Sequence, residues 1–229
     1  MAPRAIVSYD DTTNDRDALM LARILHELGT KLTLAYVRHA TENCQVREDL
    51  QEHEAEALLQ RAARWLDDSH VERRVVVSAS TAEGLGWLAA KEGAELIVFG
   101  SEYRTGFGHV SLCRSAQTLL ERGPAALAIA PAGYHETPGH QVETIGILPG
   151  SADEAAIESA FSLAGRLEAR VVDREHGVDL LVVGSRREAP EGHVMLSARS
   201  HNAIEEATCP VIVAARGVPL YFDTLVTAQ

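Results

Sequence analysis

The 229 residues carry a net charge of −12, with 21 Lys and Arg against 33 Asp and Glu. That balance excludes a general phosphate-backbone binder, because nucleic-acid affinity rests on basic side chains that neutralise phosphates; solubility is the simpler reading of the acidity. Three cysteines, Cys44, Cys113 and Cys209, without CxxC spacing argue against a zinc site and a disulfide framework.

In chain order, residues 4–9 (RAIVSY) form a short apolar run that ends in Asp10-Asp11, the pattern of a buried parallel strand with acids at its carboxyl end. Thr12, Thr13 or Asn14 can cap the helix that follows, in which Ala18, Leu21, Ala22, Leu25 and Leu28 fall at helical spacing before Gly29 stops it. Residues 31–37 read as a second strand. Residues 46–68 read as a long polar helix with Leu50, Ala57, Leu58, Ala62 and Trp65 as its apolar stripe. Residues 72–78 are a third strand, and residues 81–92 a helix closed by Gly93. Then come strand 96–99, a loop from Gly100 to about Ser111, a fourth helix and strand 126–130. Strands alternating with helices predict right-handed crossovers and a doubly wound parallel sheet. Ligands in such sheets sit beyond the carboxyl ends of the strands, which here carry Asp10 and Gly100.

Residues 95–133 occur twice. Residues 179–217 match them without a gap at an offset of 84: Gly100-Ser101 falls on Gly184-Ser185, Gly108-His109-Val110 on Gly192-His193-Val194, and Gly133 on Gly217. The match indicates an internal duplication. Residues 144–148 and 155–167 repeat the first strand and helix at an offset of about 139, so the fall from 139 to 84 is a deletion of 55 residues. It removes the counterparts of the long second helix, the third strand and most of the third helix, leaving the short segment 170–172. A sheet of about three strands is not stable alone, so the second half must pack on the first. Leu127-Ala128-Ile129 and Val211-Ile212-Val213 are candidates for the shared seam. The division expected is a complete domain over 1–133, a polar linker over 134–142, a truncated domain over 143–217, and a tail or edge strand over 218–229.

The strand ending in Asp10, with Ala18-Leu19 beyond it, and the strand ending Val98-Phe99-Gly100-Ser101 before a glycine-bearing loop resemble the universal stress protein family in tandem form, with the second copy truncated. The resemblance implies an α/β fold of the adenine-nucleotide alpha-hydrolase type, two copies packed as a pseudo-dimer. It also implies ATP or another adenine nucleotide as ligand. In the family pattern Gly-x2-Gly-x9-Gly-Ser/Thr, glycines let backbone amides wrap the phosphates. Asp10 matches the aspartate that contacts the nucleoside, Val37 the adenine-site residue on strand two, and Gly100 the first glycine. The second and third glycines are Tyr103 and Cys113, and the Ser/Thr is Arg114. In the second copy Gly184 is kept, Arg187, Ser197 and Ala198 replace the later positions, and Pro149 stands for the aspartate. The resemblance thus implies a degenerate phosphate loop in both copies.

The candidate binding residues for ATP or another small anion are Asp10, Val37, Gly100, Ser101, Arg104, Gly108, Arg114 and Ser115. Each has a structural alternative. Asp10 serves a ribose or caps a helix, Gly100 admits a nucleotide or turns the chain, and Arg104 and Arg114 meet phosphate or solvent. His109 and His193 belong to a functional pair or to a duplicated turn. Cys113 is a low-pKa thiol at a helix start or a small side chain in place of glycine. No metal cluster and no Ser-His-Asp arrangement is readable. The expected function is a non-catalytic, cytoplasmic stress-response module acting through protein partners. It binds neither nucleic acid nor membrane, and a homodimer of the tandem chain is compatible with it. The alternatives are a nucleotide-binding regulator that keeps the first-copy crevice and, behind it, a nucleotide hydrolase.

Overall fold

The computed structural model describes residues 2–39, 45–137, 139, 141–148 and 153–222. Its first half runs β1 (Arg4–Ser8), α1 (Asp15–Glu27), β2 (Lys31–His39), α2 (Gln45–Trp65), β3 (Glu72–Ser78), α3 (Thr81–Glu92), β4 (Leu96–Gly100), α4 (Arg114–Arg122) and β5 (Ala126–Ala130). The second half runs β6 (Thr144–Ile147), α5 (Glu154–Leu167), β7 (Arg170–Val172), β8 (Leu180–Val183), α6 (Ala198–Glu205) and β9 (Val211–Val213). All nine strands form one sheet in the order β3-β2-β1-β4-β5-β9-β8-β6-β7. Within each half every pairing is parallel; the two halves meet antiparallel at β5 and β9.

β4 and β5 are buried along their whole length, as continuous apolar runs in a doubly covered sheet require. One face of the sheet packs against α1, α2 and α5, the other against α3, α4 and α6. The apolar stripe of α2 differs from the expected one. Among the described side chains Ala55, Leu59, Ala62 and Ala63 are buried, as is Leu66 just beyond the helix, Leu58 and Trp65 are half-buried, and Ala57 is exposed. The long polar helix offers several near-equivalent alanine and leucine spacings, and the sheet surface selects among them. The Leu50 side chain lies outside the described residues.

The seam is where the sequence places it. Leu127, Ala128 and Ile129 pair with Val213, Ile212 and Val211. Ala128 therefore faces its own counterpart in the duplication, Ile212, and a pseudo-twofold axis passes between them. The strand order of the second half, β9-β8-β6-β7, mirrors β5-β4-β1-β2, and no strand among the described residues takes the place of β3. The ladders refine the offset. Ile6 lies opposite Ile97, and Gly146 lies opposite Leu181, so β1 and β6 are related by 140 residues. The helix starts Asn14 and Asp153 are related by 139, and one residue is missing between β6 and α5. Pro149 lies outside the described residues.

With no counterpart of α3, the chain after β7 covers that part of the sheet itself. A Cβ on Gly146 would collide with the Arg174 carbonyl and press on Val178. Glycine lets the crossover lie where Ile6 meets α3 in the first half. The linker is also more than polar chain. Tyr134–Glu136 forms a 3-10 turn in which Tyr134 is buried, and Val142 is buried too. Beyond β9, Leu220 and Phe222 are core residues. Their amides donate to Ser159 Oγ and Ser162 Oγ of α5 at 2.8 and 2.7 Å, so residues 220–222 lie along the helix and outside the sheet.

Candidate functional site

A cleft of about 680 Å³ opens beyond the carboxyl ends of β1 and β2, under α2. Asp10, Val37, Arg38 and His39 come from the strand ends, Thr81 from the start of α3, and Leu58 and Arg61 from α2. Its inner wall is fixed by a chain of polar contacts. Asp11 takes φ 61°, in the left-handed region that aspartate tolerates better than most residues. Its carboxylate accepts from Tyr9 Oη at 2.8 Å and from Arg61 Nη2 at 2.9 Å. The Arg61 and Tyr9 bonds hold the Asp11 carboxyl below its ordinary range, while burial and Asp11 drive the Tyr9 phenol up. Asp15 Oδ2 accepts the amides of Asp10 and Thr12, both at 2.8 Å, and so ties the β1–α1 loop to the helix start.

Asp10 opens into the cleft, and no helix amide reaches its carboxylate among the described residues, so it is not the cap of α1. Confinement by the surrounding protein and then the Asp15 carboxylate push its pKa up to about 6, against a smaller opposing effect of His39. A carboxyl with a raised folded-state pKa binds its proton more tightly in the native state. It therefore costs stability above pH 6, and the cost fades between pH 6 and about 4. Asp10→Asn is expected to stabilise the protein by about 1 kcal/mol at pH 7.5, after discounting for its solvent exposure, and to change nothing near pH 3.5. Denaturation curves at the two pH values check this.

Of the other expected site residues Val37 lines the same cleft, the rest are not among its lining residues, and several have structural partners. Gly100 meets the first turn of α1: a Cβ there would fall on the Asn14 carbonyl. Asn14 Nδ2 also donates to the carbonyls of Ser101 and Glu102 at 3.2 and 2.8 Å. Ser101 is buried, donates to the Ala130 carbonyl at 2.8 Å and accepts from the Ser111 amide at 3.2 Å. It staples the loop to the end of β5. Ser185 repeats this in the second half, bonding to the Ala214 carbonyl at 2.8 Å. Gly108 and Gly192 take φ 78° and 77°, and their amides donate to the Ala132 and Arg216 carbonyls, both at 2.8 Å. The Gly-His-Val repeat is thus a duplicated turn, used by its backbone. Val37 lines the cleft, but its side chain packs under Gly84 of α3. Arg104 and Arg114 are exposed and Ser115 is half-buried.

Many amides of the β4–α4 loop are turned to protein acceptors. A phosphate cradle needs amides directed outward. Here the amides of Glu102, Arg104, Thr105, Gly108, His109, Val110 and Ser111 all donate to protein acceptors. At the start of α4 the Cys113 thiol lies against the amides of Ser115 and Ala116. Burial outweighs their effect and, with Asp15 and Asp10, pushes its pKa up, so it is no activated thiolate.

The second half has a smaller cleft, of about 360 Å³, lined by Asp153, Ser185, Arg187, Glu191 and Arg216. Asp153 holds the place of Asn14 with reversed polarity: its carboxylate accepts from the amides of Ala155 and Ser185 at 3.2 and 3.1 Å. Among the described residues no group of three His, Cys, Asp or Glu side chains is placed to hold a metal ion, and no helix is long and apolar enough to cross a membrane. Arg38, His39, Arg61 and Asp15 are the site residues that the sequence did not reveal. Arg61 stands on a polar helix face like many others, and only the fold brings it to Asp11.

The universal stress protein family model matches residues 1–131 and 168–215. The chain belongs to the universal stress protein family. Among solved structures, a universal stress protein from Archaeoglobus fulgidus is similar over 93% of this chain and 98% of its own, with a TM-score of 0.71 and 13% identity. A putative universal stress protein from Pseudomonas aeruginosa is similar over 93% of each chain, with a TM-score of 0.62 and 13% identity. A protein of unknown function from the same species covers 94% of this chain and 93% of its own, with a TM-score of 0.61 and 12% identity. These likenesses are of fold. No curated protein gives a significant sequence match. The family match in this universal stress protein omits β6 and α5, which strand order and register place as the counterparts of β1 and α1.

Proposed function

We propose that this universal stress protein is a non-catalytic, cytoplasmic regulatory module that acts through protein contacts, with residues 1–133 and 143–217 as its two units. The observation that carries the reading is the β4–α4 loop. Seven of its amides, from Glu102, Arg104, Thr105, Gly108, His109, Val110 and Ser111, donate to protein acceptors, and Tyr103, Cys113 and Arg114 stand where the family pattern has two glycines and a Ser or Thr. Nothing around Ser101 supplies a general base, since its hydroxyl is buried between Ala130 and Ser111.

A second reading is a regulator that binds an adenine nucleotide or another small anion in the first-half cleft. The cleft itself favours it: Asp10 lies beside Arg38, His39 and Arg61 in a space large enough for a nucleoside. One titration separates the two. Calorimetry with ATP is expected to give no binding heat up to about 1 mM ligand. Binding at micromolar concentration overturns the first reading, and its loss in Asp10→Ala places the ligand in the cleft.

A further inference from the structure

The duplicated loops share one backbone. In the first, Thr105 donates to the Glu102 carbonyl and His109 to the Gly106 carbonyl, at 2.9 and 3.1 Å. In the second, Ala189 donates to Arg186 and His193 to Pro190, at 3.0 and 3.1 Å. Each loop is therefore two successive turns, the second with its glycine at positive φ. The central residues of the turns are the apices. They are Tyr103, Arg104 and Phe107 in the first loop, and Arg187, Glu188 and Glu191 in the second.

The second loop is an internal control. It holds the same turns, the same serine staple and the same glycine bridge with three charged apices, so the fold does not require aromatic residues there. Yet Tyr103 is 57% exposed and Phe107 67% exposed. One edge of the Phe107 ring is seated against Gly133, so closely that a Cβ on that glycine would overlap it. The Arg104 guanidinium stacks over the Tyr103 ring at 4.9 Å. Exposed aromatic rings that are already immobilised lose little conformational freedom on association, and Tyr and Arg are the residue types that carry binding energy at protein interfaces.

Charge decides what such a surface takes. From residue 103 to residue 115 the loop has Arg104, His109 and Arg114 and no acid. The next acid in sequence, Glu102, accepts the Arg104 amide at 2.8 Å and keeps its charge, so residues 102–115 carry two arginines against one acid, and neither guanidinium is paired with a carboxylate among the described residues. This is a basic aromatic patch on a chain of net charge −12. A second copy of the same chain carries that charge too and is repelled overall. We infer that the turn apices Tyr103, Arg104 and Phe107 are a docking surface for a segment of another protein in which acidic residues flank an apolar anchor. The inference rests on the protein-contact reading above and names its surface and partner chemistry.

The test is a random dodecapeptide display library panned on the full-length protein. The comparison is the variant Tyr103→Arg/Arg104→Glu/Phe107→Glu, which transplants the apices of the second loop. Because that loop already folds with these residues, the variant is expected to melt within about 2 °C of the parent. The parent is expected to select peptides rich in Asp and Glu beside an apolar residue, and the variant to bind the synthesised winners at least about tenfold more weakly. Selection of basic peptides, no selection, or equal binding by the variant overturns the inference. So does a parent dimer in light scattering that the variant abolishes, or an AMP titration that moves the Tyr103 and Phe107 ring signals. Tight ATP binding in calorimetry removes the protein-contact reading itself. Absence of ATP binding together with a failed selection removes only this surface.

Discussion

Gly100→Ala is expected to destabilise the protein by about 4 kcal/mol, the size reserved for changes the fold cannot absorb. The added methyl would occupy the position of the Asn14 carbonyl. A side-chain neighbour could rotate away, but this one is backbone, at the first turn of a helix whose Ala18, Leu19, Leu21 and Ala22 are fully buried. Relief therefore requires α1 to lift from β4, and the bonds from Asn14 to Ser101 and Glu102 are lost with it. A fall in melting temperature of roughly 10 °C is the readout. A variant that melts with the parent would show that the close approach is not needed. It follows that Gly100 is a poor probe of ligand binding, since its replacement would abolish a ligand-induced thermal shift by unfolding the site. Asp10 is the usable probe.

Asp17→Ala is expected to cost about 3 kcal/mol. Asp17 is fully buried, and its carboxylate accepts from the Gly133 amide at 2.9 Å, the His135 amide at 2.8 Å and His135 Nδ1 at 2.6 Å. As the carboxylate only accepts, Nδ1 carries the hydrogen. Alanine leaves all three donors without a partner. Asp17→Asn keeps one acceptor oxygen and turns a donor toward the other amides, so it recovers only part of the loss. The bonds join α1 to the chain leaving β5. Limited proteolysis over 134–142 is therefore expected to quicken in Asp17→Ala before global unfolding. Unchanged cleavage and an unchanged denaturation midpoint would remove this residue from the account of stability.

Both residues mark the boundary of what the sequence discloses. Runs such as 96–99 and 126–130, and the spacing of Ala18, Leu21, Ala22 and Leu25, identify the elements because periodicity is local. The repeat identifies the seam at Ala128 and Ile212, because two copies of one strand must bury the same edge. Gly100 is visible as an unusual residue, but its reason lies 86 positions away at Asn14, and no local pattern carries that. Asp17 looks like any acid in the first turn of a helix; only the fold brings residues 133 and 135 over it. The cleft is half legible. Asp10 follows from a strand end and Val37 from the family resemblance, whereas Arg61 joins them through the packing of α2. The resemblance implies a degenerate phosphate loop between β4 and α4, and seven of its amides donate to protein acceptors that no local pattern reveals.

The antiparallel register at β5 and β9 has a consequence for assembly. An edge that two separate chains could share only above some concentration is here closed within one molecule. A tether of this kind sets the effective concentration of one half at the other in the millimolar range. A contact with a dissociation constant of about 10 μM would then be closed about 99% of the time, however dilute the protein. The paired state of the two units is thus independent of expression level. Relieved of the need to find its partner, the second half holds its place with four strands and two helices where the first uses five and four.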